Sequence, residues 1–178
     1  MNMPFAYYRK LSPRQRRIYR ESDRIEKIEI HQSFLYSESV AAVEAALATG
    51  NRSSTREAAQ KLMDRLTASM GVPPLRVEVG DRRPRWASGE LHGLYEPAGG
   101  PRQRVSVWMR TARRAQIIRF RTFLRTVVHE LCHHLDYERF GLEESFHTEG
   151  FYKRESSLLR QLHPGPAHRR EETGATLS

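Results

Sequence analysis

Five consecutive residues, His129-Glu130-Leu131-Cys132-His133, have the types and spacing needed for metal-assisted hydrolysis. On a helix, side chains four apart lie on one face, so the two imidazoles can hold one ion from the same side. Zinc is the expected metal, bound at about 2.0–2.1 Å per nitrogen. Glu130, beside the first ligand, is then placed to take a proton from a metal-bound water. An H-E-x-x-H match also arises by chance in helices rich in His and Glu, so the rest of the chain has to supply the context.

Catalytic zinc sites use three protein ligands and leave a further position for water, so two histidines are not enough. The metzincin pattern H-E-x-x-H-x-x-G-x-x-H is excluded, because Asp136 stands at its Gly position and Arg139 at its last His position. His147 lies fourteen residues after His133, beyond a break at Gly141. A chain reversal there would return it over the first helix, and it is the expected third ligand. Glu149 and Glu155 are the alternatives. His134 is about 100° from His133 around a helix and is expected to point away. Asp136 falls on the histidine face, where it either orients an imidazole or sits as a surface carboxylate. Tyr137 and Tyr152 either stabilise an oxyanion or simply pack. Cys132 is expected to pack as a small hydrophobe beside the site. His163 and His168 are expected to be solvated. Trp86 and Trp108 are candidates for base stacking beside Arg-rich loops, although core packing suits Trp108 better because it lies in a strand.

The elements that position these residues follow from periodicity. Met1 to Arg17 reads as polar, basic and loose, with Ser12-Pro13 able to cap a helix. A helix is expected from Arg14 to about Tyr36, with Ile18, Ile25 and Ile28 on its stripe. An Ala-rich segment, Ser37 to Thr49, stops at Gly50. Ser54-Thr55-Arg56-Glu57 has the form of a capping box. It would open a helix striped by Ala59, Leu62, Met63, Leu66 and Met70 and closed by Gly71. Leu75 to Val79 and Arg104 to Met109 alternate as strands do. Between them, a turn at residues 97–101 makes a hairpin plausible. The strongest helical pattern is Ala115 to Phe140, striped by Phe120, Phe123, Leu124, Val127, Val128, Leu131 and Leu135. His129, His133 and Asp136 fall roughly 120–180° from that stripe. A further helix is expected within Ser145 to Leu162, anchored by Phe151, Leu158, Leu159 and Leu162. These patterns give an α+β fold: N-terminal helices, a small mixed or antiparallel sheet, the motif helix and a following helix. Residues 1–163 are expected to form one domain, helical over 1–70 and sheet plus site helices over 71–163, with 164–178 a disordered tail.

Composition narrows the class. No run of apolar residues is long enough to span a membrane, and the first twenty residues hold no stretch of signal-peptide type. Cys132 is the only cysteine, so no intrachain disulfide or cysteine zinc ribbon forms. A cytoplasmic location is expected. The net charge is +9, carried by 26 Arg and 4 Lys against 21 acidic residues. It is uneven: net +4 over residues 1–70, +8 over 71–128 and −3 over 129–178. That excess ahead of the motif favours an anionic partner, and DNA contacted through Arg-rich residues 76–125 is the expectation. The competing reading is plain solubility. Two functions therefore stand: a zinc-dependent endopeptidase, or an Arg-rich nucleic-acid-binding protein whose zinc site is structural or vestigial.

His129-Glu130-Leu131-Cys132-His133, followed by Ser145-Phe146-His147-Thr148-Glu149-Gly150-Phe151, resembles the SprT-like (Spartan-related) zinc metallopeptidases. In that family a third His follows the motif helix, usually as His-Gly-x-x-Phe. Here His147 and Phe151 match, but Thr148 takes the Gly position and Gly150 comes later. Gly93-Leu94-Tyr95 and the strand Val105 to Met109 fit the family's upstream hairpin and strand. The resemblance covers roughly Leu75 to Leu162, and the cysteine ribbon of many members is missing. The short bacterial and archaeal single-domain zincins are an equally fair comparison. The resemblance implies a zincin fold with a cleft between the sheet edge and the motif helix. It also implies an edge strand, taken as Arg104 to Met109, that pairs with an extended protein substrate.

Overall fold

The computed structural model describes residues 5–86, 89–97 and 103–164. These form an α+β fold of five α-helices on a small mixed sheet. Helix α1 (Pro13–Asp23) opens on a capping box between Ser12 and Gln15, with Pro at its first turn. Helix α2 (Ser37–Thr49) ends at Gly50, whose φ of 70° suits a residue without Cβ. Helix α3 (Arg52–Met70) ends at Gly71 in the same way. Strands β1 (Arg76–Arg82), β2 (Arg85–Trp86), β3 (Gly89–Glu90), β4 (Gly93–Glu96) and β5 (Arg104–Arg110) follow. Helices α4 (Phe120–Glu138) and α5 (Glu149–Leu162) complete the fold.

Several expectations are corrected here. Residues 5–17 are ordered rather than loose: Ala6–Lys10 form a 3-10 turn and α1 follows. The helix expected to reach Tyr36 stops at Asp23: Arg24 is a turn residue and residues 25–30 form neither helix nor strand. Ile28 and Ile30 are both buried, a spacing of two rather than of three or four. The Gln161 side chain holds this segment on α5 by accepting from the Ile30 N–H at 2.8 Å and donating to the Ile28 carbonyl at 2.7 Å. Helix α3 starts earlier than the Ser54 box, because the Asn51 side chain caps it by accepting from Ser54 N–H. Helix α4 starts at Phe120 rather than Ala115, since Ala115 takes a left-handed φ of 51° in the preceding turn. Helix α5 begins at Glu149, capped by Thr148.

The sheet order is β1-β5-β4, with β1 parallel and β4 antiparallel to β5. Strand β5, taken from the sequence as the edge, is therefore central, and β4 is the edge next to α4. Val77, Val79, Val105, Val107 and Met109 project from one face and are buried. Against them pack Leu62, Met63 and Leu66 of α3 and Phe123, Leu124, Val127 and Leu131 of α4. Trp108 belongs to the other face, half-exposed, and lies over Gly80, where a Cβ would sit 2.3 Å from the indole. It is not a core residue. Residues 98–102 and 165–178, the Trp86 side chain and His168 lie outside the described part. So do the expectations placed on them: most of the 97–101 turn, the disordered tail and Trp86 stacking. Among the described residues no helix is long and apolar enough to cross a membrane.

Candidate metal centre

Helix α4 carries His129 and His133 one turn apart, and the loop after Gly141 brings His147 back to them. Their Nε2 atoms form a nearly equilateral triangle: 3.0 Å from His129 to His147, 3.1 Å from His147 to His133 and 3.3 Å from His133 to His129. Among the described residues this is the one group of metal-binding side chains whose ligand atoms converge. Three nitrogens bound tetrahedrally at about 2.0–2.1 Å stand about 3.3–3.4 Å apart, so the triangle has the right size for one small cation.

The opposite ring nitrogens explain why the triangle holds. Ser145 Oγ donates to Asp136 Oδ2 at 2.6 Å. Its single proton is thereby used, so at 2.7 Å it accepts from His133 Nδ1–H. His129 Nδ1 lies 2.8 Å from Glu155 Oε2, a carboxylate acceptor. Both rings then hold their proton on Nδ1 and present a bare Nε2 lone pair. Lone pairs facing one another at about 3 Å repel, and a cation between them removes the conflict. Burial, with the His129 and His147 rings close by, pushes the His133 pKa down to about 3. Burial and His129 push His147 down as well. His133 and His147 are therefore held toward the neutral form, the one that ligates.

Behind this layer sits a buried ion pair. Asp136 and Arg154 are both fully buried and meet at 2.6 Å. Burial raises the Asp136 carboxyl, while Arg154 and Ser145 pull it back. The expected alternative for Asp136, a surface carboxylate, is overturned. Arg154 also donates to the Ser22 and Ile25 carbonyls and to the Ser22 hydroxyl, at 3.0–3.1 Å. The C-terminal end of α1 is thus fastened to the metal centre through Arg154, Asp136 and Ser145.

Glu130 is 5% exposed and lies under β4. Burial pushes its carboxyl up to about 7, against the pull of His129 and of the Tyr95 backbone N–H. A carboxyl poised near neutrality suits a general base. Its room comes from Gly93: a Cβ there would stand 2.2 Å from Glu130 Oε1 and 2.7 Å from Thr126 Cγ2. Gly93→Ala is therefore expected to displace the Glu130 carboxylate or push β4 outward. The expected loss is roughly 1–3 kcal/mol of stability, the range for overpacking, read by urea unfolding. Wild-type stability in that variant would show that Gly93 and Glu130 do not meet.

Gly93, Leu94 and Tyr95 of β4 form one wall of a cavity of about 250 Å³, and His129, Glu130, His133, Tyr137 and His147 form much of the rest. Tyr95 stacks on His133 and on Tyr137, and its hydroxyl lies 3.2 Å from His134 Nδ1. His134 bonds the Pro73 carbonyl through its other nitrogen at 2.9 Å and points away from the triangle. Tyr137 packs on Tyr95 while lining the cleft. Tyr152 is exposed and stacks on His147 at 5.8 Å. Glu149 pairs with Lys153, and Glu155 holds the far side of His129, so His147 supplies the third nitrogen. Cys132 is buried in the core. His163, expected to be solvated, packs edge-on against Phe120 at 5.3 Å. The orienting parts played by Ser145, Glu155 and Arg154 and the close approach of Gly93 have no local signature in the sequence.

The Arg-rich region divides in two. Arg76, Arg104 and Arg110 pair with Glu78, Glu96 and Asp81, and Arg83 is buried. Arg113, Arg114, Arg119 and Arg121 are exposed around the start of α4, where Arg125 pairs with Glu155 at 3.6 Å. Compared with protein-family models, curated proteins and solved structures, the chain matches none of them.

Proposed function

We propose that this protein is a zinc-dependent metalloendopeptidase, related in its site to the SprT-like peptidases and their zincin fold, that cleaves peptide bonds in protein substrates. The observation that carries this reading is the triangle of His129, His133 and His147, with two far nitrogens already fixed and Glu130 buried beside it. A zinc ion would be held by His129, His133 and His147 and would supply Lewis acidity for peptide hydrolysis. Glu130 would act as the general base toward the attacking water and return the proton to the leaving amine. Glu155 and Ser145 hold the rings of His129 and His133 in the ligating tautomer. An extended substrate adds to β4, the edge strand, rather than to β5. The Tyr152 hydroxyl is the proposed oxyanion donor.

Metal analysis of the purified protein tests the reading. One zinc per chain is expected, and His147→Ala is expected to fall well below it while the helices stay folded by circular dichroism. Equal zinc in both proteins would remove His147 from the ligand set. Wild-type protein without zinc would end the proposal.

The exposed arginines at the start of α4 favour a second reading, in which the chain also binds DNA. Affinity for single- or double-stranded DNA should then fall steeply between 50 and 200 mM salt, by about tenfold or more if several phosphates are contacted. No binding at low salt would end it.

A further inference from the structure

We propose that Phe5 and Tyr152 form an aromatic subsite on the α5 rim of the cleft, which accepts an aromatic or large aliphatic side chain of an extended polypeptide. The proposal rests on the peptidase reading and names the side chain that such a peptidase would select. Five large apolar residues are exposed among the described ones: Phe5 40%, Phe34 65%, Leu35 45%, Leu94 41% and Tyr152 42%. Phe34 and Leu35 sit together in the turn before α2. Leu94 and Tyr152 border the three histidines, and Phe5 reaches them through Tyr152. Leu94 lines the cavity from β4. Tyr152 stands 5.8 Å from His147 and 6.4 Å from His129. Phe5 meets Tyr152 edge-on at 6.0 Å.

Phe5 has no core packing to explain its place, yet it is held there. Its backbone N–H donates to the Tyr19 hydroxyl at 3.2 Å. Tyr7, stacked against Phe5 at 6.2 Å and 5°, donates its hydroxyl to the His147 carbonyl at 2.8 Å. A segment 140 residues earlier in the chain is thereby fastened to the backbone of the third ligand. Tyr7 supplies the anchor, and Phe5 widens the apolar surface beside Tyr152. Lys153, beside this rim, is paired with Glu26 and with Glu149. The surface left over is aromatic. Rings favour edge-on or offset contact with further rings or apolar groups, which selects against charged or small side chains.

The test uses peptides of Ala, Ser and Gly, each with one Phe moved along the sequence, beside a Phe-free parent. Binding to the zinc-loaded Glu130→Gln protein is read by fluorescence anisotropy, and cleavage by wild type is read by mass spectrometry. At one fixed spacing from the cleaved bond, Phe should improve both by about tenfold. Adding Phe5→Ala should reduce that preference to about twofold or less, with the parent peptide and zinc content unchanged. Phe5→Leu should keep an intermediate preference. An undiminished preference in Phe5→Ala, or equal loss for parent and Phe peptides, would overturn the subsite. Cleavage without any apolar preference would remove the subsite and leave the peptidase reading standing. Phe5-dependent binding without cleavage would do the reverse. Neither binding nor cleavage would remove both.

Discussion

Arg154→Leu should cost about 3–5 kcal/mol of stability, the range for removing one partner of a buried ion pair. Domains of this size are held by about 5–15 kcal/mol in all, so the loss is a large fraction of the total. The cause is specific. Asp136 would stay fully buried without its cation. The Ser22 and Ile25 carbonyls at the end of α1 would lose their donor as well, and a cation there also complements the helix dipole. The double variant Arg154→Leu with Asp136→Leu removes the stranded charge and should recover part of the loss. It should not recover the metal site, because Ser145 then loses its acceptor and no longer fixes His133. Zinc affinity is expected to fall about 10–100-fold in the double variant. Urea unfolding and zinc titration of wild type, single and double variants measure the two effects separately. A single variant within 1 kcal/mol of wild type would show that α1 and α4 are not joined through this pair.

The contrast between His147 and Arg154 shows what the chain discloses on its own. His129 and His133 share a face because helical spacing is a local property, and Gly141 and Thr148 mark the reversal that returns His147. Strand order is not local. The alternation of Val105, Val107 and Met109 reveals which face is buried, and a central strand with one open face alternates just as an edge strand does. The resemblance makes β5 the edge, and the strand's alternation cannot correct that until its pairing with both β1 and β4 is seen. The same limit applies to Ile25 and Ile28. Their spacing of three fits a helix, but the segment is non-helical and is bonded to Gln161, more than 130 residues later, instead. Asp136 could be placed on the histidine face by counting. Its burial depends on a guanidinium from the next helix, which no periodicity announces.

Glu130→Gln should separate function from stability in opposite directions. Peptide hydrolysis is expected to fall about 10²–10⁴-fold, the usual contribution of a general acid–base group. The metal-free variant should nevertheless be more stable than metal-free wild type at pH 8. Burial raises the Glu130 carboxyl from 4.5 to about 7 in the folded chain. A raised carboxyl adds stability that is fully present below the unfolded value and is lost as pH rises through the folded one. At about 1.4 kcal/mol per pH unit, the wild type at pH 8 carries a cost on the order of 3 kcal/mol for holding the charge under β4, which neutral Gln avoids. At pH 5 the gap should shrink below about 1 kcal/mol, because the folded carboxyl is then protonated. The depressed histidines are common to both proteins and drop out of the difference. Zinc should also close the gap, since a cation beside the site favours the carboxylate. Urea unfolding in chelator at the two pH values, repeated with zinc, reads all of this. A gap of the same size at pH 5 and pH 8 would mean that burial does not hold the metal-free carboxyl near neutrality.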